Sequence, residues 1–145
     1  MLIDELKSYI NGRIAEDKEL SMSIDIKEQY PYGSKPNPPE ILLAIMDNAE
    51  LDRATTFEGE QVADVYLQII VMANQMNVGG KKYSAQKSCS LLSEKLCGWF
   101  AKNTIKENIP KILNTRRAQW TNSTPYENGT TTYYSILRFN LTVNK

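Results

Sequence analysis

The sequence predicts an α+β fold: a mainly antiparallel or mixed β-sheet of four to five strands with two main helices packed on it. Two segments carry apolar residues at the three- and four-residue spacing of amphipathic helices. Several others alternate apolar and polar residues with the period of two that indicates strands. Links of hairpin length between these segments favour an antiparallel sheet. The 145 residues suit a single domain, residues 1–145.

The chain is expected to begin with a helix and a strand. A helix over residues 2–14 is indicated by apolar residues at every fourth position, namely Leu2, Leu6, Ile10 and Ile14. A strand over residues 20–27 is indicated by unbroken alternation, whose apolar side is Leu20, Met22, Ile24 and Ile26. Residues 31–39 hold four of the six prolines, which predicts an exposed loop because proline donates no hydrogen bond to a sheet.

Two apolar segments in the middle of the chain are predicted strands. Residues 40–47 fit either a helix that begins after Pro39 or a strand, and the strand is favoured because a short apolar run ends at Asp47 and Asn48. Residues 62–73 form the longest alternating stretch, and Ile70 and Met72 make its second side partly apolar. Such a strand needs cover on both sides, from a helix and from another helix or chain.

The second main helix is predicted from Ser84, as N-cap, to Phe100. Its apolar stripe is expected to pack on Leu67, Ile69 and Val71, and it consists of Ala85, Cys89, Leu92, Leu96 and Trp99. Cys89 and Cys97 are expected to be two buried thiols on one face of this helix. They cannot form a disulfide with each other, because eight helical residues rise about 12 Å and bridged Cα atoms lie within about 7 Å.

The remaining segments complete the predicted order α-β-loop-β-β-α-β-β. Residues 78–82 are expected to form a turn and Pro110 to end the helical region. Residues 111–120 weakly favour a strand, and residues 121–129 a loop or hairpin tip. The last strand, 133–143, is clear from its alternating apolar residues.

Composition and motifs predict a protein that is not an enzyme and has no metal or cofactor. The chain has no histidine, which excludes Ser-His-Asp triads, Cys-His dyads and histidine-ligated metals. The acidic residues Asp47, Glu50, Asp52, Glu58, Glu60 and Asp64 lack the spacing of a calcium loop. Gly79-Gly80-Lys81-Lys82 lacks the spacing of a phosphate loop and is interpreted as a turn.

Charge is distributed unevenly along the chain. Residues 1–72 hold 6 Lys/Arg and 14 Asp/Glu, for a charge of −8, whereas residues 73–145 hold 11 and 3, for a charge of +8. This asymmetry indicates either a contact between acidic and basic surfaces of neighbouring subunits or a nucleic-acid-binding face. The basic candidates are Arg116 and Arg117, near Trp120, together with Lys81, Lys82, Lys102, Lys106 and Lys111. Since the aromatic residues do not follow common nucleic-acid-binding patterns, the subunit contact is favoured over nucleic-acid binding. Because the two halves can interleave in one compact domain, an ordinary mixture of solvated charges is the third interpretation.

No segment predicts contact with a membrane. No apolar run approaches the roughly 18 residues of a transmembrane helix, and the N-terminus has no secretory signal. Reduced thiols fit assembly in a cytoplasm.

Four segments of the sequence resemble the tail terminator, or tail completion, proteins of long-tailed bacteriophages, several of which are described as minor capsid proteins. The pattern is an acidic turn, a long strand with Leu-Gln-Ile, an amphipathic helix and a closing Tyr-rich strand. The segments are Pro38–Asp47, Phe57–Ile69, Ser84–Phe100 and Gly129–Phe139.

The resemblance implies a structural subunit of a homohexameric ring at the head-proximal end of a phage tail. Such a ring stops polymerisation of the tail tube, and its partners are further copies of itself, the tail tube protein and a head-side connector or stopper protein. It belongs to the virion, at the junction between tail and neck, and nucleic acid is involved only as the genome passes through the ring. Contacts between subunits are expected at Glu58, Glu60, Lys81, Lys82, Arg116 and Arg117. The alternatives are a head–tail connector or stopper subunit, and a small nucleic-acid-binding protein that uses the basic C-terminal half.

Overall fold

A computed structural model describes residues 2–20, 24–28, 38–47, 53–55, 61–125 and 131–144, and it confirms the α+β class. Three helices occur in the described chain: α1 (Leu2–Glu16), α2 (Ala85–Trp99) and α3 (Lys102–Asn108). The described strands are β1 (Asp25–Glu28), β2 (Glu40–Asp47), β3 (Arg53–Thr55), β4 (Gln61–Ala73), β5 (Met76–Val78), β6 (Lys81–Tyr83), β7 (Ile112–Trp120), β8 (Thr124–Pro125) and β9 (Tyr133–Asn144).

The main sheet has the strand order β1-β2-β4-β9-β7, with the short β3 beside β4 and the short β8 beside β9. The β1–β2 pair is parallel, and every other pair is antiparallel. The central pair, β4 with β9, matches twelve consecutive residues from Val62↔Asn144 to Ala73↔Tyr133. The sheet is mixed, as predicted; its main path has five strands, and β3 and β8 bring the total to seven, against the predicted four to five.

The core lies between one face of this sheet and the helices. Alternate residues of the central strands point into it, since strand side chains alternate between faces, and among them Leu67, Ile69 and Leu137 are fully buried. The predicted contact of β4 with α2 is confirmed, because Cys89, Leu92, Leu96 and partly buried Trp99 belong to the same apolar cluster as the β4 residues.

The aromatic residues join helix α1 to the end of α2. Phe100 stacks on Phe139 of β9 with ring centroids 5.1 Å apart, and its edge meets Tyr9 at 6.1 Å. The Tyr9 hydroxyl donates a hydrogen bond of 2.5 Å to the Trp99 carbonyl oxygen. Burial raises the pKa of Tyr9 against the opposing effect of Arg13, whose guanidinium lies 5.4 Å from the ring centroid.

Three features differ from the sequence-based expectations. The predicted strand over residues 20–27 is described as a strand only from Asp25, while Leu20 forms an isolated bridge with Val78. The turn at residues 78–82 lies inside a two-stranded hairpin formed by β5 and β6. Each of these strands has three residues, which is too short for an alternating pattern to indicate a strand. Helix α3 was not predicted, because it is a seven-residue helix with one buried side chain, Ile105.

The prediction of two buried thiols was wrong for Cys97. Cys89 is buried, whereas Cys97 is half-exposed. An α-helix turns about 100° per residue, so a separation of eight residues rotates Cys97 by about 80° from Cys89. The two thiols therefore lie on different faces of α2.

Candidate functional site

Among the described residues, one face of the sheet carries no helix, and this face combines apolar and polar side chains. Tyr66 is 37% exposed, and Ile70 and Ile136 are half-buried. Arg138 crosses the face, donating from Nε to Gln68 Oε1 at 3.1 Å and from Nη1 to Gln119 Oε1 at 3.0 Å. Its guanidinium thus links three adjacent strands. This surface has the mixed character of a non-obligate protein interface.

At one end of that face the chain covers its own apolar residues. Met72, predicted to need cover, is buried, and so is Leu42 of the neighbouring strand. The uncovered apolar part is therefore the middle of the face, at Ile70 and Ile136, which are matched in register.

The predicted interface residues Arg116 and Arg117 lie on β7, which ends the described sheet on one side. Both are exposed, but they point to opposite faces because they are neighbours in a strand. Arg116 is matched with Asn140 on the helix-free face, and Arg117 with Phe139 on the helix-covered face. The two arginines therefore do not form a single cationic cluster.

Arg117 is held against the helix side of β7. Its guanidinium carbon lies 5.1 Å from the centroid of the Trp120 ring, a cation–π distance, and its Nη1 lies 3.9 Å from Cys97 Sγ. Trp120 is itself 38% exposed. Of the two arginines predicted to lie near Trp120, Arg117 is therefore the one that contacts its ring.

The predicted lysines occupy a different place. Lys81 and Lys82 are exposed on the β5–β6 hairpin, whose turn needs glycine because Gly79 and Gly80 have φ of 59° and 80°. The Gly79 amide donates to the Glu19 carbonyl at 3.0 Å, which ties the hairpin to the chain after α1. The hairpin follows the end of β4, where Ala73 pairs with Tyr133 of β9. Tyr133 lies about 20 Å along β9 from the residues that pair with the two arginines. Lys81 and Lys82 are thus well apart from Arg116 and Arg117.

The acidic candidates are only partly described. Glu58 and Glu60 lie outside the described residues, as do Glu50 and Asp52. Asp64 is exposed and accepts a hydrogen bond of 3.0 Å from Thr142 Oγ1. In the described part of the chain, no three His, Cys, Asp or Glu side chains are grouped so that they could hold a metal ion.

An acidic strand at the other end of the sheet was missed by the sequence analysis. Strand β1 carries exposed Asp25 and Glu28, and Lys27 Nζ lies 3.3 Å from the buried Glu40 carboxylate. The charges of β1 are evident in the sequence. Its position at the end of the sheet is not, because strand order depends on contacts between distant segments.

A buried thiol and three hydroxyl groups connect α2 to β9. Cys89 Sγ lies 3.3 Å from Ser135 Oγ, which lies 3.3 Å from Ser123 Oγ, and Ser123 Oγ lies 2.8 Å from Ser90 Oγ. Burial raises the pKa of Cys89, and the serine hydroxyls only partly oppose it. A thiol kept protonated is a weak nucleophile, so this network has the chemistry of a structural link.

Two surface grooves are lined by described residues. One, of about 440 Å³, is lined by Tyr83, Gln86, Lys87, Ser90, Leu91 and Glu94. The other, of about 310 Å³, lies where α1 meets the end of α3 and includes Tyr9 and Arg13.

No known family model matches the chain, and no curated protein matches it significantly in sequence. Across the described residues, no helix is long and apolar enough to span a membrane.

Proposed function

We propose that this protein is a non-enzymatic tail terminator subunit, which assembles as a homohexameric ring on the head-proximal end of a phage tail tube. The sequence resemblance suggests this role, and the fold is compatible with it. In the virion the ring stops polymerisation of the tube and presents a surface to the head-side connector.

The observation that carries the proposal is the central strand β4, which is apolar on both faces. Helix α2 covers one face of β4, while the helix-free face exposes Tyr66 and leaves Ile70 half-buried. We interpret this partly apolar surface as the place where another protein binds. The tail tube protein or a neighbouring subunit is the proposed occupant.

The arginines favour assembly over nucleic-acid binding. A duplex-binding face needs several cations that reach the same line of phosphates. Arg116 and Arg117 point to opposite faces, and the hairpin lysines lie about 20 Å further along the sheet. The head–tail connector or stopper role remains the alternative within the virion, and it differs in the partner that the ring binds.

Size-exclusion chromatography with light scattering tests the proposal. Six chains of 16.5 kDa give a ring of about 99 kDa. We expect this mass for the protein alone or for the protein recovered from tail tubes, with weaker association at high salt because part of the contact is electrostatic.

Duplex DNA supplies the contrasting outcome. We expect no binding at physiological salt. Sub-micromolar binding would support the nucleic-acid function instead, if the logarithm of the association constant falls with log[salt] with a slope of about −0.9 per neutralised phosphate. The double variant Arg116→Ala with Arg117→Ala would then reduce that slope.

A further inference from the structure

The main sheet ends in two strands whose outer edges have no strand partner in the described part of the chain. These are β1 (Asp25–Glu28) and β7 (Ile112–Trp120). An edge strand presents a row of backbone N–H and C=O groups that point away from its neighbour, and such a row can pair with another chain. The structure therefore offers two complementary places for strand addition.

The charges on these two edges are opposite. Strand β7 exposes Arg116 and Arg117, whereas β1 exposes Asp25 and Glu28. Pairing β7 with β7 of another copy would bring arginines together, which is unfavourable, while pairing it with β1 brings opposite charges together. Charge thus selects a contact between two different surfaces, and repetition of such a contact gives a ring when the rotation closes.

Strand directions make this contact antiparallel. Strand β1 is parallel to β2, and three successive antiparallel pairs lead from β2 through β4 and β9 to β7. Hence β1 and β7 run in opposite directions. When copies keep their helices on the same side of a continuous sheet, β1 of one copy meets β7 of the next as an antiparallel pair.

The requirement that faces match limits the register. Asp25 is matched with Glu40 and Arg116 with Asn140, and both lie on the helix-free face. A shift by one residue would reverse every side chain, so the registers that keep this face continuous differ by steps of two residues. Among them, the register with Asp25 opposite Arg116 brings opposite charges together.

We propose that neighbouring subunits of the ring are joined by antiparallel pairing of β1 with β7, with Asp25 of one copy opposite Arg116 of the next. This inference rests on the proposed ring and specifies its interface. The partner is a second copy of this chain, and the sheet continues from subunit to subunit.

Charge reversal with rescue tests the pairing. Asp25→Lys and Arg116→Glu each place like charges opposite one another, so each is expected to reduce the fraction of hexamer at least about tenfold under conditions in which the unmodified protein forms rings. The double variant restores opposite charges and is expected to recover the rings. Lys87→Glu is the matched control, because this exposed residue lies on α2, whose main strand contacts are with β4, β6 and β9 rather than with β1 or β7. Circular dichroism melting of each variant shows whether the monomer is folded.

Zero-length cross-linking tests the register without removing charge. Arg116→Lys keeps the cation, and a carbodiimide then joins the Asp25 carboxylate to the new amine at position 116. Mixed light and heavy isotope-labelled chains are expected to give a cross-linked peptide that contains both labels. Rings that lack this peptide, or single reversals that assemble normally, would overturn the pairing and leave the proposed function standing. Absence of rings from the unmodified protein, alone and with tail tubes, would instead contradict the proposed function.

Discussion

Replacing Leu92 with alanine is the sharpest test of the packing between α2 and β4. The Leu92 side chain is fully buried in the cluster that contains Leu67, Ile69 and Val71. The change removes three carbon atoms, worth about 2.4 kcal/mol at ~0.8 kcal/mol per buried carbon. A residual cavity of about 50 Å³ adds about 1 kcal/mol at ~24 cal/mol per Å³. We therefore expect the free energy of unfolding to fall by about 3.5 kcal/mol.

The assay is urea unfolding followed by far-UV circular dichroism and tryptophan fluorescence. Leu91→Ala is the matched control, since Leu91 is the adjacent residue of the same helix and is only half-buried. Its expected cost is about 1 kcal/mol, because about half of the transfer free energy of its three carbon atoms is lost. Both variants are compared over a dilution series, because assembly makes apparent stability depend on concentration. If Leu92→Ala costs no more than Leu91→Ala, the described packing of α2 on the sheet is wrong.

Three further predictions concern local features of the fold. Tyr9→Phe removes the hydrogen bond to the carbonyl at the end of α2 and is expected to cost about 1 kcal/mol in urea unfolding; an unchanged midpoint would show that this bond contributes nothing. Gly80→Ala is expected to lower the free energy of unfolding by about 1 kcal/mol through backbone strain alone, because φ is 80° there and the added carbon meets no neighbour. Gly12→Ala in α1 should instead stabilise the protein by about 0.5–1 kcal/mol, because alanine favours a helix. Stabilisation by both variants would contradict the hairpin turn. Lys95→Met removes the 2.7 Å ion pair with Asp17 and is expected to cost about 1 kcal/mol at about pH 7. Burial of the Asp17 carboxyl opposes its ionisation, but hydrogen bonds from Lys95 and from nearby backbone amides outweigh burial and lower its pKa. The stabilisation by the ion pair is therefore fully present above the unfolded-state pKa of Asp17. It is lost as the pH falls through the lower folded-state pKa. The difference between Lys95→Met and the unmodified protein should therefore shrink toward about pH 3, and a constant difference would show that the ion pair is not its cause.

Most of the sheet was predictable because its strands alternate without interruption. Strand β2 has the predicted limits, and the inward-facing residues of β9 are the predicted ones. Ser84 caps α2 as expected, its hydroxyl accepting from the Lys87 amide at 3.3 Å. In these segments local preference and tertiary packing agree, which is why periodicity was sufficient.

Short elements and strand order could not be predicted. Helix α3 and the hairpin strands are too short to show a period, and packing of Ile105, Met76 and Val78 into the core stabilises them. The sequence also cannot show that β1 and β7 end the sheet, since this follows from pairings between distant segments. For the same reason, Arg116 and Arg117 were predicted as one basic feature, although strand geometry directs them to opposite faces.

The candidate site was predictable in composition more than in arrangement. The charge difference between the two halves of the chain indicated acidic and basic contact surfaces, and the described sheet provides Asp25 and Arg116 at its opposite ends. The predicted subunit contact at Glu58 and Glu60 lies outside the described residues and stays a prediction. Reversing both to lysine is expected to leave the monomer folded and to block ring formation.

Negative-stain electron microscopy of tail tubes tests the central claim most directly. The protein is mixed with the tail tube protein encoded by the same genome while the tubes polymerise, and the tubes are then imaged with and without it. We expect shorter tubes, each with a ring of this protein at one end. Tubes of unchanged length without an added ring, together with a protein that stays monomeric in their presence, would contradict it.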